Sequence, residues 1–143
     1  MMDVCISQEA IDVASLVSSV ASDSNGATAV FVGTVRATND GRAVTEIEYS
    51  AYGEMAEREM AMILTEAGAR FGITDAAIHH RIGRLAVRDA SIAVAVGHPH
   101  RAAALDALRY IVDETKQRAP IWKLEHYTDG AREWVNAGAK ASR

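Results

Sequence analysis

The sequence predicts an α+β sandwich, a largely antiparallel sheet covered by helices on one face, and three observations carry that reading. Short apolar runs rich in β-branched residues, such as Ala27 through Val35, recur along the chain. Two longer stretches, residues 54–70 and 101–117, instead place their apolar residues at helical spacing. The 143 residues fit one domain of ordinary size, with enough chain to bury a core without covalent staples.

Residues 3–7 read as a short strand. Ser7 then stands where it can cap a helix running to about Ala21, with Ile11, Ala14, Leu16, Val17 and Val20 near helical spacing. Residues 22–26 are a loop by composition, and residues 27–35 a buried strand. The Asp40-Gly41 pair marks a turn before a strand over residues 43–50, where Val44, Ile47 and Tyr49 mix with Glu46 and Glu48. The first long helix buries Ala56, Met60, Ile63, Leu64, Ala67 and Phe71, and Gly72 is placed to end it. Strands follow at residues 76–82 and 91–96. The second long helix carries Leu105, Leu108, Ile111 and Val112 as its stripe; Pro120 closes it and residues 121–127 form a strand. After the Asp129-Gly130 turn, residues 132–135 add a short helical or extended piece. The sum is β-α-β-β-α-β-β-α-β.

Composition narrows the function. With 49% apolar and 24% charged residues the chain reads as a soluble globular protein, and no run approaches the roughly 20 apolar residues that span a bilayer. The first ten residues lack the basic start and apolar core of a signal peptide. One cysteine, Cys5, excludes an internal disulfide and a Cys-based zinc cluster, so the cytoplasm is the expected compartment. Charge is uneven: residues 1–97 balance to −6 and residues 98–143 to +2, with three of the five histidines in the latter part. That is a poor footprint for nucleic acid and a fair one for a small anion, although a solvated basic face explains it equally well.

Three features carry candidate chemistry. His100-Arg101 opens a helix, where free N–H groups, the dipole and a guanidinium fork suit a phosphate or carboxylate. Lys116 and Lys123 flank the Pro120 corner, so their ammonium groups can converge from two elements; an amine among cations loses its proton more readily. The alternative is a lysine favoured only by a helix C-terminus. Arg36 follows a buried strand and is either a ligand contact or an ordinary surface arginine. His79 and His80, adjacent on a strand, point to opposite faces and make no joint metal site. Trp122 and Trp134 read as core or interface residues, and no metal is expected.

Four blocks resemble the large, catalytic subunit of molybdopterin synthase, the MoaE family. Phe31-x-Gly33-x-Val35-Arg36 is similar to its F-x-G-x-V-R segment, His80-Arg81-Ile82-Gly83 to its H-R-I-G, and His100-Arg101 to its H-R at a helix start. Residues 116–125, KQRAPIWKLE, resemble its K-x-R-x-P-[IF]-W-K-x-E signature. The resemblance implies an α/β-hammerhead fold and a sulfurtransferase that converts cyclic pyranopterin monophosphate (precursor Z) into molybdopterin. It implies no resident cofactor, because the pterin is substrate. Sulfur would come from the Gly-Gly thiocarboxylate of a small ubiquitin-like subunit, in a heterotetramer built on a homodimer of this chain. By matching position, Lys116 is the central catalytic residue and Lys123 its partner. Arg36, His100 and Arg101 would hold the phosphate or pterin, and Phe31 and Glu125 would line the pocket, which in the family draws on both protomers. Two departures stand out: Val112 where the family carries Met, and no clear counterpart of a C-terminal arginine, near which Gly138 falls and Lys140 is the substitute at hand. A non-catalytic pterin- or nucleotide-binding paralogue is the alternative.

Overall fold

The computed structural model describes residues 1–136. In chain order the elements are β1 (Met2–Ser7), α1 (Val13–Ser19), β2 (Ala27–Thr34), β3 (Thr38–Asn39), β4 (Arg42–Ala51), α2 (Gly53–Phe71), β5 (Asp75–Arg81), β6 (Gly83–Ala86), β7 (Ala90–His98), α3 (Arg101–Arg118), β8 (Ile121–Tyr127) and β9 (Arg132–Asn136). The strands divide between two sheets. One has the order β1-β5-β7-β2; the other runs β3-β4-β8-β9, with β6 also paired to β4. Among the described residues only the β1–β5 pair is parallel. The α+β, largely antiparallel expectation therefore stands, with β3 and β6 added and residues 132–136 extended.

Side-chain alternation on β5 and β7 decides where the helices go. Ala76, Ile78, Ile92, Val94 and Val96 face α2 and α3, burying Met60, Ile63, Leu64, Ala107 and Ile111 against them. The intervening Ala77, Ala93 and Ala95 point the other way, onto Leu16 and Val20 of α1. The two long helices thus share one face as expected, while short α1 covers a patch of the opposite one. Its cap is Asp12, not Ser7: Asp12 Oδ1 accepts from the Ser15 N–H at 3.1 Å, whereas Ser7 ends β1. Leu105 is likewise not in the α3 stripe. It is exposed, and the buried positions are Ala104, Ala107, Ile111, Val112 and Thr115, small residues that let α3 lie close to the sheet.

Close approach is tightest at Gly97, beside α1. A Cβ there would lie 2.7 Å from Asn25 Nδ2 and nearer still to the Val20 carbonyl oxygen, which is backbone and has little room to move. Gly97→Ala is expected to destabilise the fold by about 1–3 kcal/mol, measured as a shift of the urea midpoint.

At the other end of the core Arg118 clamps α3 to α2. Its Nε donates to Glu59 at 2.7 Å, its two Nη groups to Glu66 at 2.7 and 2.9 Å, and Nη1 also to Glu114 at 3.2 Å. That clamp holds the last turn of α3, which carries Lys116. Pro120 follows, and its carbonyl accepts from the Tyr52 N–H at 3.2 Å, turning the chain into β8.

Candidate functional site

A cleft of about 280 Å³ opens where the two sheets meet. Phe31 and Gly33 reach it from β2, Ser91 from β7, Tyr49 from β4, and Lys123 and Glu125 from β8; Arg36 comes from the β2–β3 connection and Lys116 from α3. The β2–β7 register shifts between Gly33 and Thr34, a bulge at the point where β2 leaves toward Arg36. Gly33 also leaves room for the Phe31 ring, whose Cε2 would lie 3.3 Å from an added Cβ.

The two lysines have different surroundings. Lys123 Nζ stands 3.2 Å from Glu125 Oε1. Glu125 is fully buried and also accepts from Asn39 Nδ2 and the Tyr127 hydroxyl. Burial pushes the Glu125 carboxyl up, but the Tyr127 hydrogen bond, the Lys123 charge and Asn39 outweigh it and hold the group below the usual carboxylate range. The Tyr127 phenol is correspondingly pushed up to about 12, by burial first and then by donating to Glu125. Lys123 is therefore an anchored cation. Lys116, among the described residues, makes no hydrogen bond or ion pair. Burial, then the charges of Lys123 and Arg36, lower its pKa. Among the described residues the cleft so holds three basic side chains against one committed carboxylate, and it suits an anion beside an amine disposed to lose its proton.

Five of the expected residues meet here: Phe31, Arg36, Lys116, Lys123 and Glu125. His100 and Arg101 do not. They open α3, and fifteen residues of helix at about 1.5 Å each put Arg101 roughly 22 Å along the axis from Lys116. His100 is the N-cap residue, and its backbone N–H donates to His98 Nδ1 at 2.9 Å. Val112 is buried in the main core, outside the cleft lining. Gly138 and Lys140 lie outside the described residues.

Residue reading alone missed Tyr49, Asn39, Tyr127 and His80. His80 sat in view inside the H-R-I-G block. The structure turns His79 outward to Asp3 at 2.9 Å and His80 inward against Tyr49. Neither tryptophan is buried in the core: Trp122 stacks edge-on to Tyr52, and Trp134 is exposed on β9. Burial, followed by the nearby Asp3, Glu57 and Glu9, pushes the Cys5 thiol up, so it keeps its proton. Among the described residues no group of three or more His, Cys, Asp or Glu is placed to hold a metal ion, and no helix is long and apolar enough to cross a membrane.

The family model described as "MoaE protein" matches residues 6–118. A molybdopterin synthase catalytic subunit from Nostoc is 46% identical over 116 residues, covering 80% of this chain and 70% of that one. Among solved structures, molybdopterin synthase from Staphylococcus aureus superimposes with a TM-score of 0.87 at 35% identity, over 91% of this chain and 94% of that one. A complex of subunits 1 and 2 of molybdopterin-converting factor from Helicobacter pylori shares the fold, with a TM-score of 0.76 at 22% identity over 92% of this chain and 89% of that one. By sequence as well as by its two-sheet fold, the chain belongs to the MoaE family.

Proposed function

We propose that this chain is the catalytic subunit of a molybdopterin synthase, moving sulfur from the C-terminal thiocarboxylate of a small ubiquitin-like subunit to cyclic pyranopterin monophosphate and so building the dithiolene of molybdopterin. The observation that carries the reading is the contrast between two neighbouring lysines, one pinned by a buried carboxylate and one without a partner among the described residues. Lys116, its ammonium disfavoured, serves as acid and base at the attacked pterin side chain. Lys123, held by Glu125, presents a fixed positive charge to the oxyanion that develops at the thiocarboxylate carbonyl. Arg36 holds the phosphate, and Phe31 flanks the pterin.

His100 and Arg101 fit the same anion only from a second copy of the chain, which gives them a role in the homodimer at the centre of a heterotetramer. A Cys5 thiol that keeps its proton is in keeping with sulfur arriving from another protein. The reading assigns no metal and no resident cofactor, and it places the enzyme in the cytoplasm. Reconstitution tests it: the purified chain, a thiocarboxylated small subunit and precursor Z are expected to yield molybdopterin, read through its fluorescent oxidation product. Product formed without the small subunit, or no product despite demonstrated docking, contradicts it; the second result favours the binding paralogue.

A further inference from the structure

The cleft adjoins a chamber of about 50 Å³ with which it shares Tyr49, Ser91, Lys116 and Lys123; His80 and Thr115 complete its polar lining. That volume admits a water molecule. Two observations show that the chamber is polar in a directed way. Thr115 is 3% exposed, and its Oγ1 has no hydrogen-bond partner among the described residues. A hydroxyl so buried normally finds one. His80 is 6% exposed, and its Nδ1 lies 2.8 Å from the Arg81 carbonyl oxygen. A carbonyl only accepts, so Nδ1 carries the proton and Nε2 is left as an acceptor. The Tyr49 ring meets the imidazole edge-on at 5.1 Å and holds its plane.

We propose that this chamber is a built water site coupling His80 to Lys116, in which one water accepts a hydrogen bond from the Lys116 ammonium and donates to His80 Nε2 and Thr115 Oγ1. His80 is then a positioning residue that acts through Lys116. Among the described residues, the groups facing Lys116 leave the ammonium little else: Arg36 and Lys123 repel it, Glu125 is committed to Lys123, Tyr49 is a neutral phenol, and His80 is the remaining ionisable neighbour. Burial, with the Lys116 charge adding to it, drops the His80 pKa to about 4, so the imidazole stays a neutral acceptor at physiological pH.

The inference rests on Lys116 being the reacting amine, but its test reads ionisation and not turnover. The full chain contains three lysines, Lys116, Lys123 and Lys140, so ¹³Cε-lysine labelling gives few signals to titrate by NMR. Loss of a hydrogen bond to an ammonium should lower its pKa by about one unit. His80→Phe and Thr115→Val are each expected to shift Lys116 by that amount while Lys123 stays in place. His80→Gln, whose amide oxygen can stand in for Nε2, is expected to restore most of the shift. An unmoved Lys116 titration in the near-isosteric Thr115→Val overturns the water site, whether or not His80→Phe folds. An unmoved titration in folded His80→Phe, or one that His80→Gln fails to rescue, overturns the part given to His80. Turnover of Lys116→Ala tests the reacting amine separately.

Discussion

Lys116→Ala is expected to lower molybdopterin formation by about 10²–10⁴-fold while leaving the fold intact. The loss should appear in single-turnover reconstitution, and docking of the small subunit should persist. Stability should move in the opposite direction to activity. The Lys116 pKa is depressed in the folded state, so between that value and the ordinary 10.5 the unfolded chain binds the extra proton. At neutral pH the group therefore opposes folding, and its contribution improves as pH rises through that window. Lys116→Met, which keeps the stem and drops the charge, is expected to melt above the wild type at pH 7 by calorimetry. Turnover within a few-fold of wild type in either variant would take Lys116 out of the chemistry.

Glu125→Ala is expected to be the most damaging change to stability at the site, by about 3–5 kcal/mol. It strands Lys123 Nζ and Asn39 Nδ2 and leaves the Tyr127 hydroxyl only the longer contact to Glu133 at 3.3 Å. Chemical denaturation measures the cost. Glu125→Gln keeps an acceptor and should lose less. The pH dependence has the same sign as that of Lys116, stability rising with pH. It falls in the acid range, however, and reflects a favourable charge gained, whereas for Lys116 an unfavourable one is lost. A carboxylate held below the ordinary 4.5 contributes stability that is complete above that value and disappears as pH falls through the folded pKa. The Gln variant should therefore show a shallower acid limb than wild type, and equal acid limbs would mean that the native state does not hold the Glu125 carboxyl below its ordinary range. Release of Lys123 should also reduce turnover, because the oxyanion loses its fixed charge.

The long elements were legible because their patterns are local. The stripe of α2 and its glycine stop at Gly72, which adopts φ 70°, were readable without knowing any partner. What failed was decided by packing. Leu105 is the most hydrophobic residue of the first α3 turns, yet alanines occupy the buried side, because the helix–sheet spacing rewards small residues there. Strand β6, Gly83-Arg84-Leu85-Ala86, has too short a pattern to announce itself, and its pairing with Glu46–Tyr49 defines it. At the site, Lys116, Lys123 and Arg36 were visible as charges near a corner and a strand end. The difference between the two lysines was not visible, since it depends on Asn39 and Tyr127, which sit 86 and 2 residues from Glu125.

The strand pairings also set an order of events during synthesis. Residues 2–7 of β1 pair with residues 76–81, so β1 has no partner in this pairing until about 70 more residues have been added. At about 5–20 residues per second that interval is roughly 4–14 s. An unpaired strand edge is open throughout to pairing with other nascent chains. Lys116, Lys123 and Glu125 are added after β1 to β7, and β8 closes on β4, made some 75 residues earlier. The cationic cleft thus comes into being only once β8 has been added, so a product stalled or truncated before residue 125 would lack the site.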